Sequence, residues 1–455
     1  MNTLLTIIKI EDLRKKLLYT LGLLIVYRFG SFITIPGVDP IAVANAKPRG
    51  QSILDVVDIF SGGALFKLSI FSLGIMPYIS SSIIMSLLTV IIPYFALLQK
   101  EGEYGRRKIN QYTRFGTVLL CAIQSLFILF WAVEQTSRDG SPLVSAVMPK
   151  TFFYFTGVIT ITTGTLILMW FGEQITERGI GNGVSLIIFA GIIARLPTNI
   201  IKMIKDPSIR FFDIVILLII FILLIAFTVI LSQGVRKIPL QYGKRIVGNR
   251  MVQAQSQSLQ FKLNAASVMP IIFASSLLLF PQTVFGMLGA QSQSWIGWQI
   301  LQEWLNPFAP TFFQQLPYYL IYSALIIFFA YFYTAIYINP VELAEQLKKI
   351  GGYIPGIRPG QQTKEHLEYI LNRIILPGGV MLAALAIAPY LIINFLDLKA
   401  NQNIQGLAYT FGGTSLLIMV GVALDTLKQI EAQLKMRNYP GFMSIKKSKL
   451  KGRLQ

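Results

Sequence analysis

The chain has 455 residues, of which 54% are hydrophobic and only 13% charged, against about 25% charge in an ordinary soluble domain. That balance excludes a string of soluble domains and points to a helical protein that crosses a membrane many times. The formal net charge of +19 fits either nucleic-acid binding or an excess of Lys and Arg on the cytoplasmic side, and the loop positions test the second.

Apolar runs of spanning length occur at 17–34, 68–92, 115–133, 152–171, 184–204, 211–232, 263–287, 316–338, 370–394 and 408–427. The expected fold class is therefore an all-α polytopic membrane protein with ten transmembrane helices. Runs this long exclude a transmembrane β-barrel, whose strands are shorter and alternate. Met1 to Lys16 shows no apolar core and no cleavage site, so no cleavable signal is expected. Of the 40 Lys and Arg, 29 fall in one set of alternate segments and 10 in the other, with Arg28 inside the first run. This asymmetry places both termini in the cytoplasm and accounts for most of the charge. The 195–210 loop is the exception, with four basic residues on the outer side.

Taken in order, the first run leads through Ile35-Pro36-Gly37-Val38 into a polar outer loop. Phe60-Ser61-Gly62-Gly63-Ala64-Leu65 and the residues to Ile70 are half apolar, with two glycines that weaken a helix. They read as a short, mobile half-helix, which is tolerated at membrane depth only where it lines or blocks a cavity. The second run opens with Met76-Pro77 and three serines, Ser80 to Ser82, and is expected to end at Pro93. Residues 99–114 read as a mixed-charge cytoplasmic hairpin. Gln124 is the strongly polar residue inside the third run.

Trp170 to Gly183 reads as a glycine-punctuated turn. It lacks the Lys-Ser/Thr of a phosphate loop and the strand before it. Gly234 to Arg245 alternates apolar and basic residues, the pattern of a protruding β-hairpin. The seventh run is expected to start at Asn264 and repeats the Met-Pro signal at Met269-Pro270. The 288–315 segment, with Trp295, Trp298 and Trp304, reads as an interfacial belt. Helix ten is expected to begin at Phe411-Gly412-Gly413-Thr414, and the tail from Lys446 is basic, suited to anionic lipid or RNA.

The two Met-Pro sites fall on the second helix of the first five and the second of the last five. Helix one starts inside and helix six outside, so the expectation is two inverted five-helix halves, 1–205 and 206–455, with the site between them. Carboxylates are missing from mid-depth, and the interior polar groups are neutral: Ser80, Ser81, Ser82, Gln124 and Asn264. Met76, Ile79, Ile83, Met269 and Ile272 can form an aliphatic constriction that seals by packing and dewetting.

At these residues the chain resembles the SecY family, the protein-conducting channel of the bacterial-type Sec translocon. The motifs are Phe60-Ser61-Gly62-Gly63-Ala64-Leu65, Leu73-Gly74-Ile75-Met76-Pro77-Tyr78-Ile79-Ser80 and Gly102-Glu103-Tyr104-Gly105-Arg106-Arg107-Lys108. They continue with Gly172-Glu173-Gln174-Ile175-Thr176-Glu177-Arg178-Gly179-Ile180-Gly181-Asn182-Gly183, Pro355-Gly356-Ile357-Arg358-Pro359-Gly360 and Phe411-Gly412-Gly413-Thr414-Ser415-Leu416-Leu417-Ile418.

The resemblance implies a plug at about 58–70, containing Phe60, Ser61, Gly62, Gly63, Ala64 and Leu65. It implies a pore ring of Ile75, Ile79, Ile83, Val184, Ile188, Ile272 and Ile418. Val184 stands where many relatives carry isoleucine, so the ring is expected to be slightly wider there. A lateral gate of helices two and three against seven and eight is implied, with Ser80, Gln124 and Asn264 as polar contacts.

Loops 233–262 and 339–373, with Arg236, Lys237, Lys244, Arg245 and Arg358, would dock the SecA motor ATPase and the ribosome. Val341-Glu342 departs from the Arg-Glu of many relatives, which puts one minor loop contact in doubt. SecE and SecG subunits, SecDF, YidC, anionic lipids, and secretory and membrane protein substrates are the further partners implied. The implied location is a bacterial-type plasma membrane, with a plastid thylakoid membrane as the alternative.

No cofactor or metal is expected. One cysteine (Cys121) and one histidine (His366) offer no disulfide framework, zinc or haem ligand set, or Ser–His nucleophile. A solute transporter coupled to an ion gradient needs a buried ionisable site, and an intramembrane enzyme needs a catalytic constellation. The helices offer neither.

Overall fold

The computed structural model describes residues 10–45, 58–135, 141–144, 148–205, 211–242, 245–247, 250–252, 257–264, 267–287, 304–305, 312–395 and 413–437. The expectations for Trp295, Trp298, Lys244, Phe411-Gly412 and the tail from Lys446 lie outside the described residues.

Helix α1 spans Glu11–Gly30. It has acidic residues in its first turn and Arg28 in its last, the arrangement the helix dipole favours. A short α2 (Pro40–Ala44) is capped by Asp39, whose carboxylate accepts from the Ile41 N–H at 2.9 Å.

Helix α3 is Met76–Ile91, with Pro77 in its first turn. There the missing N–H costs nothing and the fixed φ suits the helix. The apolar run begins at 68, but residues 68–75 are turns and a β-bridge, not helix. At the other end Pro93 forces Ile92 out of the helical region. The chain turns by 97° into α4 (Pro93–Lys100).

Two expected loops are largely helix. Helix α5 runs Glu103–Glu134, 32 residues, about 48 Å at 1.5 Å per residue, longer than the ~30 Å apolar layer. Residues 103–114, read above as part of a hairpin, are its polar projecting end. Helix α6 runs Lys150–Arg178, so the turn expected over 170–183 narrows to residues 179–182. Hydropathy marks only the apolar stretch of a helix, and these two continue past it. They stay joined there by an ion pair, Arg114 to Glu173, at 3.1 and 2.6 Å.

Helices α7 (Gly183–Lys205) and α8 (Phe211–Gln233) follow. The stretch 234–245 expected as a hairpin supplies one long strand, whose partner lies beyond Arg245. Strand β1 (Val235–Tyr242) pairs antiparallel with β4 (Gln257–Lys262), with Ile238 opposite Leu259. β2 (Arg245–Val247) pairs with β3 (Arg250–Val252).

Helix α9 is Met269–Met287. Asn264 lies on the connection before it, not at its start. Helix α10 is Phe312–Tyr337 and α11 Pro340–Ile350. Strand β5 (Gly352–Tyr353) joins the other edge of β1, giving the order β4-β1-β5. Helices α12 (Gln361–Phe395) and α13 (Gly413–Arg437) complete the described chain.

Among the described residues six helices are long and apolar enough to cross a membrane, or seven if the bent pair α3–α4 is one span. Shorter apolar helical stretches lie at Gly183–Thr198 and Met269–Leu278. The protein is a polytopic helical membrane protein. On α8 the exposed face is Leu218, Ile219, Ile222, Leu223 and Ile230, as lipid contact requires. Helix α5 packs on α3 and α6, α10 on α9 and α12, and α13 on α7, α8 and α12. Helix α9 also packs against α3 and α5, so early and late parts of the chain share one apolar core.

Candidate functional site

The seven aliphatic residues expected to form a ring come from different parts of the chain. Ile79 and Ile83 are four residues apart on α3, which keeps them on one face, and Ile75 is the residue that caps the start of that helix. Val184 and Ile188 share a face of α7 in the same way, Ile272 is in the first turn of α9, and Ile418 is near the start of α13. All seven belong to one apolar cluster, with six buried and Val184 partly buried at its edge. A cavity of about 170 Å³ is lined by Ile79, Val184, Ile188 and Ile272, with Ser82, Ser86, Asn182 and Ser185 as its polar lining. Ile75, Ile83 and Ile418 are not among the residues that line this cavity.

The segment 58–75 contributes Ile59, Phe60, Ala64, Leu65, Leu68, Phe71 and Leu73 to the same cluster. Only 58–60 are helical and the rest is a series of turns, so the expected half-helix is mostly turns. The reason is local: Gly62 and Gly63 have φ of +69° and +88°, which no helix accommodates. The expected mobility also has a counterweight, because the segment is tied down. The Tyr27 hydroxyl donates to the Ser61 carbonyl at 3.1 Å, and the Arg28 guanidinium to the Gly62 carbonyl at 2.9 Å. Gly62 lies against Gly191 of α7, where an added Cβ would stand 2.8 Å from the Gly191 Cα. Ile70 donates to Ile33 and Ile35 to Leu68, both at 2.9 Å. Ala64, Leu65 and Leu68 are buried.

The three expected seam residues are not joined to one another. Gln124 is buried on α5 and Ser80 half-buried on α3, while Asn264 donates to the Ser267 carbonyl at 2.9 Å. Among the described residues no hydrogen bond links the three. The polar contact between α3 and α5 is made by Ser81, whose hydroxyl donates to the Thr113 carbonyl at 2.7 Å. Gly116 lets the helices approach, since an added Cβ there would be 2.5 Å from the Ser81 Oγ. A run of three serines hides which one faces the neighbouring helix; the small residue at 116 was the available signal.

Between the Met-Pro helices, the Ser276 hydroxyl stands 4.0 Å from the Met76 sulfur. At the entry to α9, Ser267 has φ +54° and donates to the Asp425 carboxylate of α13 at 2.6 Å. Sequence reasoning missed that pair, and it also missed the ion pair between Asp58 and Arg195.

The described parts of loops 233–262 and 339–373 meet on one apolar platform. Ile238, Leu240 and Phe261 of the sheet pack with Ile354, Leu367, Leu371 and Ile375 in a second apolar cluster. The Tyr353 hydroxyl donates to Gln241 at 3.2 Å. Arg236, Lys237 and Arg358 are exposed. Arg245 is in β2. The Thr363 hydroxyl donates to the Arg358 carbonyl at 2.9 Å. Among the described residues no group of three His, Cys, Asp or Glu is placed to hold a metal ion.

The cavity between α3, α7 and α9 has no ionised side chain in its lining. The chain belongs to the SecY family: the family model matches residues 69–427. The protein translocase subunit SecY of Streptomyces scabiei is 43% identical over 442 residues, covering 96% of this chain and 98% of that protein. The protein of the same name from Escherichia coli K12 is 42% identical over 446 residues, covering 97% and 96%.

Among solved structures, one described as a protein conducting channel aligns over 94% of both chains with a TM-score of 0.67 at 17% identity. Sec61 in the canine ribosome-channel complex from the endoplasmic reticulum aligns over 94% of both chains, with a TM-score of 0.63 at 17% identity. At that identity the likeness is one of fold.

Proposed function

We propose that this chain is the central channel subunit of a Sec protein translocase. It would pass unfolded secretory proteins through the aliphatic ring and release apolar segments sideways into lipid. The observation that carries the reading is the cavity that Ile79 of α3, Val184 and Ile188 of α7 and Ile272 of α9 line together, within the same apolar core as residues of the 58–75 segment.

The physics of the task matches this wall. A channel for any sequence cannot offer charged sites that trap a passing chain, and aliphatic side chains yield and close again. At the seam, an apolar segment leaving for lipid gains about 25 cal/mol per Å² removed from water. Interhelical hydrogen bonds in membranes contribute only about 0.6–2 kcal/mol each. A signal helix that binds the open state better therefore shifts the equilibrium.

The finer reading is ten spans in two inverted halves, 1–205 and 206–455, with both termini cytoplasmic in a bacterial-type plasma membrane. The plug is residues 58–70. The gate lies between α3/α5 and α9/α10, with Ser80, Gln124 and Asn264 at its seam. Arg236, Lys237, Lys244, Arg245 and Arg358 would dock SecA and the ribosome. SecE and SecG would be companion subunits, SecDF and YidC accessory partners, and anionic lipids a surface for the basic tail. The energy comes from a partner or from the membrane potential. Relatives carrying the name protein translocase subunit SecY support the reading.

The test is reconstitution of the complex in proteoliposomes with SecA and ATP. A signal-bearing precursor is expected to become protease-protected, and a signal-less one is not. Equal protection of both, or of neither, contradicts the proposal.

A further inference from the structure

We propose that Asp58 and Arg195 form an electrostatic latch that holds the plug segment against α7 in the resting channel. This rests on the plug reading above. The Asp58 side chain is fully buried and that of Arg195 is 24% exposed. Arg195 Nη2 pairs with one oxygen of Asp58. The other oxygen accepts from the Phe66 N–H at 3.1 Å and lies 3.5 Å from the Ser61 hydroxyl. The carboxylate thus closes residues 58–66 into a loop and ties that loop to α7.

The position on α7 gives the pair its meaning. Val184, Ile188, Gly191 and Arg195 follow one another by four, three and four residues, so they share one face of the helix. That face presents, in order, two ring positions, the flat spot under Gly62 and the cation that holds Asp58. One helix carries both the constriction and the holder of the segment that blocks it.

The contacts from α1 are of another kind. Tyr27 and Arg28 donate to backbone carbonyls at Ser61 and Gly62, so they hold the main chain and not a side chain. Asp58 is the plug's one carboxylate in an otherwise cationic neighbourhood of Arg28, Lys67 and Arg195. The charge–charge link is therefore specified by sequence, and its loss leaves three cations around the loop.

Buried ion pairs suit a latch. Desolvation offsets most of their attraction, so the intact pair holds the closed state without locking it. Removing one partner is the costly change, because it strands the other charge in the interior. When the plug leaves, water reaches both groups and hydration compensates for the broken pair.

The experiment measures resting ion conductance of the complex in planar bilayers for six forms of the chain. These are the unaltered chain, a deletion of residues 58–66, Arg195→Lys, Arg195→Gln, Asp58→Asn, and the double change Asp58→Asn/Arg195→Gln. Signal-peptide-induced opening, read in the same bilayers, reports that each variant is a folded channel.

The deletion is expected to leak, which upholds the plug independently of the latch. Arg195→Gln is expected to raise resting conductance about tenfold or more, since it strands the buried carboxylate. Arg195→Lys should stay near the unaltered level, and the double change should leak less than Arg195→Gln alone. If the deletion leaks but Arg195→Gln does not, the latch is overturned while the plug stands. If the single effects simply add in the double change, the pairing is overturned. A deletion without leak removes the plug reading and the latch with it.

Discussion

The hydroxyl of Ser276 stands 4.0 Å from the sulfur of Met76, across 200 residues of chain. Met76 opens α3 and Ser276 is about two turns into α9, so the two Met-Pro helices meet directly. No strong bond holds this contact; a thioether is a weak acceptor. Ile79 and Ile272 on the same helices line one cavity.

That contact is testable by trapping. In a chain carrying Met76→Cys and Ser276→Cys, a short thiol-to-thiol cross-linker is expected to join α3 to α9 and stop insertion of membrane segments. Cleavage of the linker should restore it. Insertion at the uncrosslinked rate after complete linkage would show that these helices need not separate.

The turn at Gly62 depends on a close approach between two glycines. Gly62 has φ +69°, and its Cβ would meet the Gly191 Cα at 2.8 Å, while a Cβ on Gly191 has its nearest neighbour at 3.2 Å. Gly62→Ala carries both the clash and a left-handed backbone penalty of about 1–2 kcal/mol. It is expected to increase export of precursors with defective signals, and Gly191→Ala to do so less. The opposite order in an export assay contradicts the packing described.

Ser81 and Ser80 should separate stability from gating. Ser81→Ala removes the hydrogen bond to the Thr113 carbonyl, worth about 0.6–2 kcal/mol in a membrane. It is expected to lower the thermal midpoint of the detergent-solubilised complex by a few degrees. Ser80→Ala is expected to leave that midpoint unchanged and alter signal stringency instead. Equal midpoints for the two variants would remove the distinction.

Helical phase is also where the sequence was least legible. Three consecutive serines carry no internal sign of which one meets α5, and only the structure sets Ser81 against Gly116. The positions of the apolar runs were legible, because twenty-residue hydrophobic stretches have few other readings. Their ends were not: α5 and α6 extend beyond the apolar layer through residues 103–114 and 172–178, which hydropathy reads as loop.

The 58–75 segment shows a second limit. Its glycines announced a break in the helix, but not the buttons that fasten it. Asp58 and Arg195 are 137 residues apart, and nothing in either neighbourhood points to the other. Arg195 stood out only as one of the basic residues on the side where few were expected. Its pairing with Asp58 gives that exception a physical reason.

The docking reading predicts a polarity of effect. Arg358 is exposed on the loop before α12, beside the platform that β1, β4 and β5 make with the second apolar cluster. Arg358→Glu is expected to abolish SecA-driven export in reconstituted vesicles while leaving the thermal midpoint within about a degree, as surface changes do. Normal export by that variant sinks the docking role.

The central claim is that a polypeptide passes through the ring of aliphatic residues. The most direct measurement is cysteine cross-linking of an arrested secretory chain to Ile79→Cys and, separately, to Ile272→Cys. A cysteine placed in the arrested stretch is expected to link to both positions, and a cysteine at lipid-facing Leu223 (64% exposed) to neither. An arrested chain that links to Leu223→Cys but to neither ring position contradicts the account.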